Sequence, residues 1–356
     1  MQEALLPLLR CPVTRSALTL KIIKQTEKVY NNETVVVIEE GVLYAEEDWF
    51  YPVVKGVPRL TVEAFIDHEM FLNSSVPDYA ELKESLLKKF KTLINYTVKK
   101  NKRTKKSFTR EWSVYNYDKD KTWDADDTGM VERFLKETGE TRSGLKDKII
   151  FDAGCGNGKL ESLIASNCGS IIAMDFSNCV EDAYARNNFS NVYIVQGDVQ
   201  FPPVPFTYFD IVHCSGVLIH TNNAELSFSC IEPTVKDTGK LSVWLYHPVN
   251  DFVHRLFNTI RKVTSKLPLS FQYYLYLVTI FPLSYCIKKL KGNKQNSREM
   301  MVSILDWFTP EFRSEHEHTE AVAWFYKRGY NKVNITTVDK FGFNITGEKQ
   351  KINSGK

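Results

Sequence analysis

Residues 149–160 read Ile149-Ile150-Phe151-Asp152-Ala153-Gly154-Cys155-Gly156-Asn157-Gly158-Lys159-Leu160: an apolar run ending in an acid, then glycine at every second position. Few patterns restrict a chain more. The apolar run reads as a short buried strand, and the glycines then permit the tight-turn dihedrals needed to leave it. They also let a ligand approach the backbone closely. A helix starting at Lys159 presents free N–H groups suited to a carboxylate. The rival reading is a dinucleotide loop, which wants Gly-x-Gly-x-x-Gly. Its third glycine would fall on Lys159, whose bulk suits poorly the close helix–strand packing that this glycine serves.

The downstream chain repeats the strand-then-acid pattern. Gly169–Ser177 holds a second apolar run ending at Asp175, 21 positions after Gly154. Asn191–Val199 is a third, ending in Gly197-Asp198, and Phe209–Thr221 contains a fourth with its following loop. An ordinary turn or a strand-end acid accounts for any one of these elements, but not for four in this order. Strands alternating with helical stretches imply parallel βαβ units, with a ligand beyond the strands' carboxyl ends.

Over residues 108–347 the chain resembles the class I S-adenosylmethionine-dependent methyltransferases, less specifically in 248–303. The resemblance implies an α/β fold: a Rossmann-like seven-stranded methyltransferase sheet with helices on both faces. It implies S-adenosyl-L-methionine as cofactor and no metal. The implied cofactor contacts are Asp152, Gly154, Cys155, Gly156, Asn157 and Gly158 in the loop, then Asp175 and Phe176 at the ribose. Gly197, Asp198 and Val199 are implied at the adenine, with Cys214 and Trp112 completing the site.

At 356 residues the chain exceeds one ordinary domain, so additions to a methyltransferase core are expected. The first 65 residues read as a separate small α+β module with strands at Leu18–Lys24 and Thr34–Glu39. Leu8–Thr14 and the closing Tyr51-Pro52 to Gly56-Val57-Pro58 turn resemble a zinc-ribbon-like activator of some tRNA and protein methyltransferases, also fused to bacterial ones. That domain's metal signature is Cys-x-x-Cys twice. Here only Cys11 remains, Thr14 stands in its partner's place, and no cysteine occurs between 12 and 154. The fold without zinc is expected, packed on the catalytic domain or on a second subunit, which leaves a homo-oligomer open.

Seven dispersed cysteines suit a reducing cytosol. The N-terminus lacks the basic region and apolar length of a signal peptide, so a cytoplasmic location is expected. A balance of 46 basic and 43 acidic residues decides nothing about a polyanionic partner.

Residues 66–107 read as a helical, basic linker. Tyr79–Val98 has helical periodicity, and Lys99–Lys106 packs six basic residues into eight positions. A solvated run is the favoured reading, with nucleic acid or anionic lipid as the alternative partner. The Phe108-x-x-x-Trp112 segment is similar to one lying across the cofactor cleft in bacterial methyltransferases of sugars, surface glycans and natural products. Whether Trp112 stacks on a ligand or anchors a core stays open. Asp306-Trp307-Phe308-Thr309-Pro310, followed by His316, resembles the same group. A helix over His318–Arg328 and a strand over Val333–Val338 finish the domain, and 348–356 reads as a disordered tail.

Residues 249–303 are an insertion. Within it Leu267–Ile287 has no charge and six aromatics, flanked by Lys266, Lys288, Lys289 and Lys291. Its length suits a membrane span, but Pro268, Pro282 and a position inside one sheet argue against that. A helical lid over the cleft is favoured. Membrane-surface contact through 267–291, suiting a lipid-linked acceptor and a membrane-associated protein, is the runner-up.

Methyl transfer to oxygen benefits from a general base, and histidine suits that work. The candidates are His220 after the fourth strand, His247 at the carboxyl end of a fifth strand within Gly239–Pro248, and His316. The loop Cys214-Ser215-Gly216 lacks the Asn/Asp-Pro-Pro-Tyr of amino-directed nucleic-acid methyltransferases. A small-molecule acceptor, sugar or lipid-linked among them, therefore leads over tRNA or protein, with a non-catalytic scaffold as the third hypothesis.

Overall fold

The computed structural model describes residues 1–31, 33–121 and 125–350. Its strands are β1 (Thr19–Val29), β2 (Thr34–Tyr44), β3 (Phe50–Val54), β4 (Val57–Leu60), β5 (Ile149–Ala153), β6 (Ser170–Asp175), β7 (Val192–Gly197), β8 (Phe209–Ser215), β9 (Val235–Tyr246), β10 (Tyr330–Val338) and β11 (Gly342–Lys349). They form one sheet in the order β1-β2-β3-β4-β7-β6-β5-β8-β9-β11-β10. From β4 to β9 neighbouring strands run parallel, and β11 then pairs antiparallel with β9 and with β10. The chain leaves β5 for β6 on one side and later reaches β8 on the other. That reversal opens a crevice beyond the carboxyl end of β5, where ligands of such sheets bind.

The helices are α1 (Ala64–Asp67), α2 (Glu69–Ser75), α3 (Tyr79–Lys89), α4 (Lys91–Val114), α5 (Asp127–Thr138), α6 (Lys159–Ile164), α7 (Val180–Arg186), α8 (Ala224–Ile231), α9 (Phe252–Thr264), α10 (Leu269–Val278), α11 (Ile280–Leu290), α12 (Ser297–Phe308) and α13 (His318–Tyr326). Strand alternation sends Ile150, Ile171, Ala173, Ile194 and Ile211 to one face, against Val131 and Phe134 of α5, Ile164 of α6 and Val180 of α7. Phe151, Ile172, Met174, Val212 and Cys214 point to the other, against Phe228 of α8 and Trp324 of α13. Apolar residues at successive positions are what a strand covered on both faces requires.

The N-terminal unit is not a separate layer. β4 pairs with β7 through Arg59 opposite Gln196 and Leu60 opposite Gly197, so the sheet has eleven strands rather than seven. Leu5, Trp49, Phe50 and Phe65 share one apolar cluster with Phe151 and Val195. The physical reason is the edge that β7 would otherwise expose, which β4 covers. β1 and β2 run past their expected ends to Val29 and Tyr44. The added β1 residues are mostly exposed and held by cross-strand pairing, which leaves no apolar signal. Cys11 is buried, its Sγ 3.3 Å from the Tyr51 hydroxyl.

The basic linker is also corrected. Phe90 (φ −113°, ψ 27°) breaks the expected helix into α3 and α4, and Lys99–Lys106 lies within the 24 residues of α4. Three of its basic side chains turn inward. Lys100 meets Asp198 at 2.8 Å, Lys105 meets Glu63 at 2.9 Å, and Arg103 donates to the Leu267 carbonyl. Acids far away in sequence made this run look solvated.

The uncharged stretch 267–287 is two helices parted at Thr279, with Pro268 capping α10 and Pro282 in the first turn of α11. Among the described residues no helix is long and apolar enough to cross a membrane. α12 runs beyond 303 to Phe308, opened by a capping box between Asn296 and Glu299. At the other end, Glu348 and Lys349 belong to β11, and of the expected tail 351–356 lies outside the described residues.

Candidate active site

The loop after β5 is shaped by close approach. Gly154 has φ +136°, and a Cβ on it would lie 2.1 Å from Val217. Gly156 has φ +55°, and its Cβ would meet the Trp112 ring at 2.5 Å. Both N–H groups of Gly154 and Cys155 donate to the Met174 carbonyl, and the Gly156 N–H donates to Asp175 at 3.0 Å. Ser177 donates to the other Asp175 oxygen from its N–H and its hydroxyl, each at 2.7 Å. Desolvation lifts the Asp175 carboxyl above its usual range, with these hydrogen bonds pulling back against it.

Beneath the loop lies a buried histidine between two carboxylates. His213 on β8 stands between Asp152 (Nδ1, 3.0 Å) and Glu137 of α5 (Nε2, 2.9 Å). Burial alone would depress the imidazole, but the Asp152 charge and then the Glu137 hydrogen bond raise it to about 10. For Asp152 burial is likewise outweighed, by Glu161 and the His213 charge, and its carboxyl falls below the usual range. Burial and then Asp152 push Glu161 well above its own.

A cavity of about 1050 Å³ opens beyond these strand ends. One end is walled by Asp152, Gly154, Cys155, Gly156, Asn157, Asp175, Phe176, Gly197, Asp198 and Val199, with α4 laying Trp112, Glu111 and Lys100 across it. Trp112 thus lines the cavity and packs on Gly156. Asp198 holds the Lys100 ammonium and accepts from the Asn101 amide at 3.1 Å. The opposite end is formed by His220, Tyr246, Asp306 and Trp307, with His254, Phe257, Ile280 and Ser284 from the insertion.

Four expected site residues lie elsewhere. Strand alternation turns Cys214 to the other face, where it is fully buried and its Sγ contacts the Ala153 carbonyl; its neighbour Ser215 lines the cavity instead. Gly158 (φ +76°) faces Ala183 of α7. His247 does not line the cavity; its ring meets the Asp339 carbonyl (3.2 Å) and the His318 ring. His316 is taken by Ser314 and Glu320 and packs on Trp324.

His220 does reach the cavity. It sits in the 3₁₀ turn Leu218–His220, with Nδ1 3.2 Å from the Phe312 carbonyl and Nε2 3.5 Å from Asp306. That Nε2 is buried without a hydrogen-bond partner. The Tyr246 hydroxyl donates to the second Asp306 oxygen at 3.0 Å, and burial, then Asp306, push the phenol well above its usual range. On α4, Glu111 is 1% exposed, with Oε2 unpartnered. Burial, followed by the charges of Asp306 and Asp175, raises its carboxyl well above the usual range.

Sequence reasoning assigned no role to Glu111, His213, Tyr246 or Asp306. Helical spacing held one available signal: Phe108, Glu111 and Trp112 share a face of α4. Strand alternation held another, since Tyr246 and His247 point oppositely at the end of β9.

Residues 151–243 match the family described as methyltransferase domain. No curated protein matches the chain. Among solved structures, the chain is similar to magnesium protoporphyrin IX methyltransferase of Synechocystis PCC 6803 with bound SAH, at 15% identity and TM-score 0.42, covering 72% of this chain and 100% of that one. It is also similar to a Bacillus halodurans protein described as a methyltransferase (12% identity, TM-score 0.39, 64% and 99% covered). A chain from the Haloferax volcanii complex of the Trm112 methyltransferase activator and a methyltransferase is similar at 12% identity and TM-score 0.38, with 64% and 96% covered.

Proposed function

We propose that this chain is an S-adenosylmethionine-dependent methyltransferase acting on an oxygen of a small-molecule acceptor, with sugars and natural-product intermediates the first classes to test. One observation carries the reading: a single cavity joins a glycine loop with a pinned acid, Asp175, to a second end holding an unpartnered histidine nitrogen. Its volume of about 1050 Å³ stands at the top of the range for small-ligand sites, about 300–1,000 Å³, leaving room for two ligands.

The residues present suit the cofactor. Asn157 Nδ2 and Glu111 Oε2 are buried, unpartnered and in cavity-lining residues, so a polar ligand would satisfy them. Asp175 would accept from the ribose hydroxyls, and Trp112 and Phe176 offer apolar faces. When bound, S-adenosylmethionine supplies a methyl already activated on a sulfonium. The protein's remaining work is to orient the acceptor and exclude water, which the aromatic walls Phe108, Trp112 and Trp307 do.

His220 is the proposed base. A carbonyl only accepts, so the contact with Phe312 puts the proton on Nδ1 and leaves the Nε2 lone pair free. Once Nε2 takes the acceptor hydroxyl's proton, Asp306 stabilises the imidazolium, and Tyr246 keeps that carboxylate oriented. The alternative of a tRNA or protein acceptor drew on the N-terminal module and on Lys99–Lys106, and its second support loses weight because Lys100, Arg103 and Lys105 have protein partners.

The test is calorimetric titration with S-adenosylmethionine and S-adenosylhomocysteine, with mass spectrometry of any ligand carried through purification. Micromolar binding or a copurified adenosyl compound supports the reading. No binding by the folded protein sinks it and favours a scaffold.

A further inference from the structure

From Phe252 to Arg298 the chain has nine lysines and arginines and not one aspartate or glutamate. The whole sequence carries 46 basic and 43 acidic residues, so the rest has six more acids than bases. The positive charge of this protein is concentrated in its insertion.

The same segment exposes apolar side chains in ordered rows. On α10, Phe271, Tyr274 and Val278 recur at three- and four-residue spacing and are all exposed, Val278 by 71%. On α11, Leu283, Ile287 and Leu290 do the same, Leu290 by 88%. Such spacing places each trio on one helix face. Soluble surfaces scatter single apolar residues, and rows of them mark an interaction site. The inward face of α11 is different: Ile280, Ser284 and Lys288 line the cavity.

We propose that the α10–α11 face docks on an anionic phospholipid surface. The aliphatic and aromatic rows enter the headgroup–acyl boundary, while Lys262, Lys266, Lys289 and Lys291 meet lipid phosphates. At 10 and 11 residues these helices are too short to span a bilayer and suit lying in its interface. RNA fits less well, because Val278, Leu283, Ile287 and Leu290 offer bases neither stacking nor hydrogen bonds. A second copy on this face would set basic segment against basic segment. Docking also brings a cavity wall to the lipid; the corollary, resting on the methyltransferase reading, is an acceptor carried on a lipid.

The test is flotation of the full chain with phosphatidylcholine vesicles and with vesicles containing phosphatidylglycerol, at low and high salt. Binding requires neither cofactor nor turnover, so its failure is separate from failure of the enzymatic reading. The chain should float with the anionic vesicles and release as salt rises. Leu283→Ser with Leu290→Ser should lower partitioning by about tenfold or more, without changing the melting temperature, since both are exposed. Cys286, exposed on α11, gives a second readout on the unaltered chain: a fluorophore there should be quenched by spin-labelled lipid. Wild-type protein that stays in solution with anionic vesicles overturns the proposal. So does a variant that floats equally well, an unquenched probe, or a face that instead binds RNA or buries itself in a dimer.

Discussion

The two ends of the cavity are built from sequence in different ways. The glycine-loop end uses contiguous backbone, residues 152–157, with one acid at the end of β6 and another just past β7. The His220 end gathers His220 from a turn, Tyr246 from β9, His254 from α9 and Asp306 from α12. The first is a local conformational requirement. The second exists only after segments more than eighty positions apart have packed (His220 to Asp306). An end made of backbone should answer a lost side chain in stability or affinity, and an end made of side chains in turnover.

The largest effect should come from the side-chain end. His220→Ala is expected to lower turnover by about 10²–10⁴-fold while the dissociation constant for S-adenosylhomocysteine stays near wild type. Equal losses in both would erase the division and make His220 structural.

The loop end should instead fail through stability. His213→Leu leaves Asp152 and Glu137 buried without their shared cation, a change of the kind that costs about 3–5 kcal/mol, readable by urea unfolding. A pH series sharpens this. The folded value for His213, about 10, lies above the ordinary 6.5, so the folded state holds that proton more tightly than the unfolded chain. The resulting stability is complete below pH 6.5 and is lost as pH rises through about 10. The variant should lose this alkaline slope; a slope unchanged in the variant would show that His213 does not carry the charge.

Asp175→Ala is the binding test. Removing a charged acceptor costs about 1.5–3 kcal/mol, or about 10–150-fold in the dissociation constant. Turnover at saturating cofactor should change much less. An unaltered constant would remove Asp175 from the proposed ribose site.

What was legible follows the same division. The run Ile149–Gly158 and the acids 152, 175 and 198 were readable because strand patterning and glycine dihedrals are local. The continuous sheet was not, since β4 joins β7 through backbone hydrogen bonds that leave no side-chain signature. Lys100 and Lys105 looked solvated because their acids, Asp198 and Glu63, lie far along the chain. Among the histidines, position after the fourth strand put His220 ahead of His247, but no sequence pattern showed that the His247 side chain turns to Asp339 and His318.

The smallest expected effect divides the loop itself. Gly156 and Gly158 both have positive φ, but only Gly156 lines the cavity, while a Cβ on Gly158 would meet Ala183 at 3.1 Å. Gly158→Ala should therefore cost about 1–2 kcal/mol of stability, the price of a left-handed conformation for a residue with a Cβ, while cofactor affinity stays close to wild type. Gly156→Ala should do more, since its methyl has to displace Trp112 from the cavity wall and so disturbs the binding surface. If calorimetry found the two variants equally impaired in binding, the loop would act as one rigid cradle, and Gly158 would rejoin the cofactor site despite facing α7.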